Sequence, residues 1–345
     1  MASAQELDME RLLLIAGGHS AFQLLWAGVE LQAFDYLSSA PGLTLTDIAD
    51  RMRLQLYPCR VLMTGLTALG LVQKRADRFF NAPLTEQMLV KGKPGYAAPI
   101  LGWQALIVYP GLQDFVASLK QGTNVGLNRF PGKGKTLYER LASHPELERI
   151  FQHAMSALSL QASRHLLDAY DFGQFSHIVD AGGGDGTNAI ALANRHPNLK
   201  VTVYDSETVC VIARENIAAR GLSDRVFTFV GNFLSEPFPP AVDAILFCHI
   251  FTIWSMERNL EILRKCHRAL PAGGAVLLFN MMSRDDETGP LSTALGSPYF
   301  LAIATGEGML HAWKDYEGAM RQAGFSRTER VDTLPLSHGL LAAFK

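Results

Sequence analysis

The chain has 345 residues, more than one ordinary core supports, so two domains are expected. A formal charge of -2 with 48% hydrophobic residues gives no broad electrostatic pull on nucleic acid or anionic membrane, which leaves small molecules as the favoured partners. Cys59, Cys210, Cys248 and Cys266 show no Cys-x-x-Cys pair and no zinc-ribbon spacing, so reduced thiols and no metal are expected. The N-terminal MASAQELDMERLLL carries acids where a signal peptide carries bases, and no apolar run reaches the roughly 18–20 residues of a membrane span. A cytoplasmic protein follows.

In chain order, Leu12 to Ile15 open an apolar helix, and Phe22, Leu24, Leu25, Val29, Leu31 and Phe34 continue at helical spacing. That is more apolar surface than a small helical unit can bury by itself, which predicts a homodimer. TLTDIADRM follows Pro41-Gly42. A helix then starts near Pro58 and stops at Gly70, and LVQKRADRFFNA reads as a hairpin, together a winged helix. Such a unit invites a DNA-binding regulator as a rival reading, but YPCRVLMTGLTALG offers a single arginine, Arg60, to phosphate. The division expected is a helical winged-helix dimerisation domain over 1–100, a helical linker contributing to the substrate pocket over 101–170, and a catalytic domain over 171–345.

From Ser176 the texture changes to short apolar runs alternating with amphipathic helices: HIVDA, KVTVYD, RVFTFVG, DAILFCHI and AVLLFN, separated by helical stretches. This alternation predicts βαβ units and a doubly wound α/β fold with a parallel sheet. RTERVDTL and GLLAAF lie too close for a crossover helix, so the last strand is expected to run antiparallel.

VDAGGGDGT, Val179 to Thr187, follows a predicted strand and precedes a predicted helix. Its glycines let the backbone approach a ligand, and the helix N-terminus beyond favours an anionic group. The next strand ends in Asp205, placed to accept hydrogen bonds from ribose hydroxyls, so the pair indicates a nucleoside cofactor. A nicotinamide fingerprint would read Gly-x-Gly-x-x-Gly, where this chain has Gly182, Gly184 and then Thr187.

With these motifs the chain resembles, over nearly its whole length, the small-molecule O-methyltransferases of plants and bacteria. These are class I S-adenosylmethionine (SAM)-dependent enzymes with a dimerising winged-helix domain and a Rossmann-like sheet. The resemblance implies SAM as cofactor, held by Asp180, Gly182, Gly184, Asp205, Asn232, Phe233, Cys248 and Ser159. The Gly-Asp-hydrophobic loop of the family stands here as Gly231, Asn232 and Phe233, a change that keeps an acceptor and loses a charge. FQHAMSALS resembles the family's Phe-x-x-x-Met-Ser stretch, placing Phe151 and Met155 toward substrate, with Trp254, Met282 and Tyr299.

The chain departs from the family where the family's His-Asp-Trp supplies the base. Trp254 fixes the register of HIFTIW, so Thr252 stands in place of the catalytic histidine. The carboxylates that orient that histidine fall on Asn280 and Leu310. A threonine hydroxyl cannot act as a general base near neutral pH. His249, His311 and His153 are the candidate substitutes. Because the sulfonium methyl is already activated, proximity can carry much of the reaction. The expectation is methyl transfer to a small aromatic metabolite of secondary metabolism, to oxygen by family precedent, with carbon or nitrogen favoured by the missing base. The rival within the fold is cyclisation or hydroxylation using bound SAM.

Overall fold

The computed structural model describes residues 7–345, as two compact units that meet in sequence at Ile107 and Val108. In the first unit three helices, Met9–Ala16, Gly18–Glu30 and Ala33–Ser39, precede strand β1 (Leu43–Thr44) and the helices Leu45–Met52 and Leu56–Ala68. Thr44 starts the fourth helix through a reciprocal cap: its hydroxyl accepts the Asp47 N–H, while the Asp47 carboxylate accepts the Thr44 N–H at 2.9 Å. Gly70, at φ +73°, ends the fifth and turns the chain into the hairpin β2 (Val72–Arg75) and β3 (Arg78–Asn81). The winged helix read from the sequence is therefore present, with β1 added to its sheet in the order β1-β3-β2. Phe34, Leu37, Ile48, Leu62, Leu66 and Phe79 fill its core, whereas Leu12, Leu13, Leu14 and Ile15 stay exposed.

The second unit holds a seven-stranded sheet. Its strands are β4 (His177–Ala181), β5 (Lys200–Asp205), β6 (Val226–Val230), β7 (Ala244–Cys248), β8 (Ala275–Met281), β9 (Arg327–Val331) and β10 (His338–Phe344), in the order β6-β5-β4-β7-β8-β10-β9. β4 to β8 run parallel, and β10 runs antiparallel to both β8 and β9, with Leu341 opposite Leu278 and Arg330. The antiparallel end expected from the short connection is what the chain adopts. Both faces are covered, which explains the continuous apolar runs. Ile178, Val201, Leu246 and Leu277 pack into one layer, and Val179, Ile245, Leu278 and Leu341 into the other. Strand order reverses between β4 and β7, so the crevice for a ligand lies beyond the C-terminal ends of β4, β5 and β7. No single described helix is long and apolar enough to cross a membrane.

Candidate active site

The glycine-rich loop closes β4. Gly182, Gly184 and Gly186 have φ of +71°, +59° and +82°, values that exclude most side chains, and the helix Thr187–Arg195 follows at once. A Cβ on Gly182 would lie 2.5 Å from Ile250, so the loop is pressed against the segment after β7. A Cβ on Gly184 would meet no described atom within 4 Å, leaving bare backbone toward the crevice. At the end of β5, Asp205 accepts the Gly184 N–H at 3.1 Å through one oxygen and the Ser206 N–H at 2.8 Å through the other. Burial raises its pKa against the pull of those two bonds.

Asp180 is the strongest electrostatic signal. It is 0% exposed, and neither carboxylate oxygen meets a donor among the described residues. Burial, with smaller repulsion from Asp205 and Asp185, pushes its pKa up to about 7. A buried carboxylate without a partner is costly, and a cationic group beside it would recover that cost. The orphaned acid, the open backbone at Gly184 and the carboxylate of Asp205 at the end of β5 together fit SAM, which carries both an ammonium and a sulfonium. Among the described residues no His, Cys, Asp or Glu cluster could hold a metal.

Asn232 and Phe233 lie just beyond β6. The Asn232 side-chain oxygen accepts the Leu234 N–H at 2.9 Å and so holds the turn. Phe233 packs edge-on against Tyr204 and Phe247, at 6.2 and 5.7 Å, and its carbonyl accepts from the Lys265 ammonium. Cys248, the last residue of β7, is buried, and its thiol is raised well above its ordinary range, first by burial and then by Asp180.

The helix Pro145–Ala169 carries several expected residues. Phe151 is half-buried and edge-on to Tyr138 at 5.8 Å; Met155 and Ser159 are half-buried; His153 is exposed to solvent. Sequence reasoning missed Ser156. Its hydroxyl donates to the Asp185 carboxylate at 2.7 Å, while Asp185 also accepts from the Thr187 hydroxyl and N–H. This bond ties the helix Pro145–Ala169 to the glycine-rich loop. The sequence signal was only the Asp inside GGGDGT.

Around the missing base, Thr252 is 1% exposed and its hydroxyl donates to the His249 carbonyl at 3.2 Å. Asn280 is 0% exposed, with no partner for its amide among the described residues. Leu310, Met282 and Tyr299 are buried, and Trp254 is half-buried under the Arg258 guanidinium at 5.0 Å. His311, 6% exposed, places Nε2 3.2 Å from the Trp254 carbonyl, which can only accept. Burial lowers its pKa. His249 is partly exposed, and burial followed by the facing His338 pushes its pKa down to about 3. A cavity of about 330 Å³ opens at the opposite, N-terminal edge of the sheet, between His177, Asp243 and Pro271. There the Asp243 carboxylate is held by the Ser176 and His177 N–H groups at 2.7 and 2.9 Å.

Comparison with known proteins agrees with this geometry. Residues 109–326 match the O-methyltransferase domain model, and residues 13–91 match the O-methyltransferase dimerisation domain model. An L-tyrosine C(3)-methyltransferase of Streptomyces lavendulae is 36% identical, over 98% of this chain and 93% of that protein. A 3-hydroxy-5-methyl-1-naphthoate 3-O-methyltransferase of Streptomyces sahachiroi is 31% identical, over 96% and 94%. The apo crystal structure of the S-adenosylmethionine-dependent methyltransferase SibL superposes with a TM-score of 0.85 at 37% identity, covering 98% of this chain and 99% of that one. These relatives give no support to cyclisation or hydroxylation. The chain belongs to the O-methyltransferase family, and it is a SAM-dependent methyltransferase acting on a small molecule.

Proposed function

We propose that this enzyme places its methyl group on a ring carbon of a small phenolic acceptor. The observation that carries the reading is Thr252. Where family members remove a proton from the acceptor hydroxyl, this chain has a buried hydroxyl already committed to the His249 carbonyl. Asn280 replaces the carboxylate that would orient a base there. No group at that position can ionise the hydroxyl ahead of attack, which disfavours O-methylation, whereas a phenol's ortho carbon is electron-rich enough to attack an activated methyl. The 36% identical relative is named for methylation at C(3) of L-tyrosine, a carbon and not an oxygen, which supports carbon as the methylated atom.

Bound SAM supplies a methyl group on positively charged sulfur. Asp180 faces its cationic end, Gly182 and Gly184 allow close backbone approach, and Asp205 receives the ribose hydroxyls. Asn232, Phe233, Cys248 and Ser159 complete the enclosure. Phe151, Met155, Trp254, Met282 and Tyr299 hold the aromatic acceptor, an apolar set with few polar groups, as small-molecule sites require. The match to the dimerisation model and the exposed Leu12 to Ile15 support a homodimer formed by the N-terminal unit, and the four free cysteines suit work in the reducing cytoplasm.

The test is incubation with methyl-labelled SAM and a panel of L-tyrosine, substituted phenols, naphthols and aromatic amines, with the product mapped by NMR. A new aryl C–CH3 is expected. A label found on oxygen or nitrogen overturns the reading.

A further inference from the structure

His249 is the first residue after β7, and its backbone is left-handed at φ +59°. A non-glycine residue adopts this conformation uncommonly, so the surroundings must impose it. The His249 N–H donates to the Phe279 carbonyl at 2.8 Å, and its ring lies edge-on to Phe279 at 5.3 Å. There His249 Nε2 is 3.0 Å from Nε2 of His338, the first residue of β10. The His338 ring stacks on Phe279 at 5.2 Å, and its Nδ1 is 3.3 Å from the Pro335 carbonyl.

This chain of contacts fixes the protons. A carbonyl only accepts, so His338 carries its hydrogen on Nδ1. Burial lowers the pKa of both rings, so each is neutral. His338 Nε2 is then a bare acceptor, and His249 must donate its own Nε2–H to it. The single lone pair left on His249 is on Nδ1. Its chain neighbours touch the cofactor loop from both sides: Ile250 packs on Gly182, and Cys248 lies within electrostatic reach of Asp180. Of the other candidates, His153 is exposed, and His311 is wedged edge-on to Tyr316 with Nε2 committed to Trp254.

We propose that His249 Nδ1 accepts the acceptor's phenolic proton, and that His338 is the positioning residue that fixes the tautomer of His249. The proposal rests on the ring-carbon reading above. With its pKa pushed down to about 3, His249 does not ionise the phenol in advance; the O–H proton moves to Nδ1 only as the carbon–carbon bond forms and the methyl–sulfur bond breaks, leaving a neutral dienone. Loss of the ring proton to solvent restores the phenolate, which takes back the proton from His249. While His249 is protonated, the Nε2–H···Nε2 bond is charge-assisted and the Pro335 carbonyl extends it.

Three variants test this with L-tyrosine and the phenol panel. His249→Asn tolerates the left-handed backbone and should lose about 10²–10⁴-fold in kcat while SAM affinity by calorimetry is unchanged. His338→Phe keeps a ring on Phe279 but offers no acceptor, and should lose about 10–100-fold in kcat with KM unchanged. His338→Gln restores an acceptor and should recover most of that loss. A purely structural role for His338 predicts that Phe outperforms Gln, and that result overturns the proposal, as does full activity of His249→Asn. Nitrogen-15 NMR of the SAM-bound protein should show an unprotonated Nδ1 on His249, and a protonated Nδ1 overturns the proposal without any turnover. Wild-type inactivity on every phenol removes the ring-carbon reading instead, and the nitrogen spectrum still decides the tautomer.

Discussion

Asp205→Ala should nearly abolish SAM binding while leaving the fold intact. A carboxylate offers about four lone-pair positions. In this structure two are taken, by the Gly184 and Ser206 N–H groups at 3.1 and 2.8 Å. The remaining positions, one of them within reach of the Ser206 hydroxyl, are open to the two ribose hydroxyls. Hydrogen bonds to a charged group are worth about 1.5–3 kcal/mol each, so losing both costs about 3–6 kcal/mol, or on the order of 10²–10⁴-fold in Kd. The strand itself should survive, since Val201 to Tyr204 keep their pairing with β4 and β6. Asp205→Asn keeps one oxygen and should fall between, at about 10–100-fold. Titration calorimetry with SAM and with its demethylated product, S-adenosylhomocysteine, measures the loss, and circular dichroism checks the fold. A folded Asp205→Ala variant binding SAM within about threefold of wild type would refute the reasoning, because no ribose-facing carboxylate could be lost so cheaply.

Asp180 predicts a pH effect on the ligand-free protein. Its native pKa of about 7 lies above the unfolded value near 3.9, so the folded state binds the extra proton, and stability is lost as pH rises between those values. Asp180→Asn removes this penalty, at most on the order of 4 kcal/mol. The ligand-free variant should therefore melt above wild type at pH 8 but not at pH 4, and it should bind SAM more weakly; equal melting curves at pH 8 contradict the assignment. Thr252→Val removes one bond to a backbone carbonyl and should cost about 1 kcal/mol of stability and less than about tenfold in kcat. A hundredfold drop would make the hydroxyl a participant. Ser156→Ala cuts the tie to Asp185 and should weaken SAM binding about tenfold, read by calorimetry; no change would mean that the tie does not serve the cofactor.

The residues proposed for the cofactor stand out in the sequence because their demands are local. Gly182, Gly184 and Gly186 are glycines where the backbone must turn left-handed, and Asp205 follows one strand later. The fold was legible for a related reason, since runs such as AILFC and AVLLFN have no other use than a strand covered on both faces. The loss of the usual base at Thr252 could also be read, once Trp254 set the register. What could not be read are pairings across long stretches of chain. Ser156 meets Asp185, and His249 meets His338, only because helices and strands far apart in sequence are brought side by side. The turn at His249 defeats pattern reading too, because the φ of +59° moves its side chain off the alternation that β7 sets up.

β10 follows both β8 and β9 in the chain, yet it lies inside the sheet, between them. While His338 to Phe344 are still within the ribosome, β8 presents an unpaired apolar edge and β9 has no neighbour. The catalytic unit therefore cannot complete its sheet until β10 has emerged, a window in which open edges invite association between chains. A chain stopped before His338 is accordingly expected to be an aggregating species rather than a partly active one.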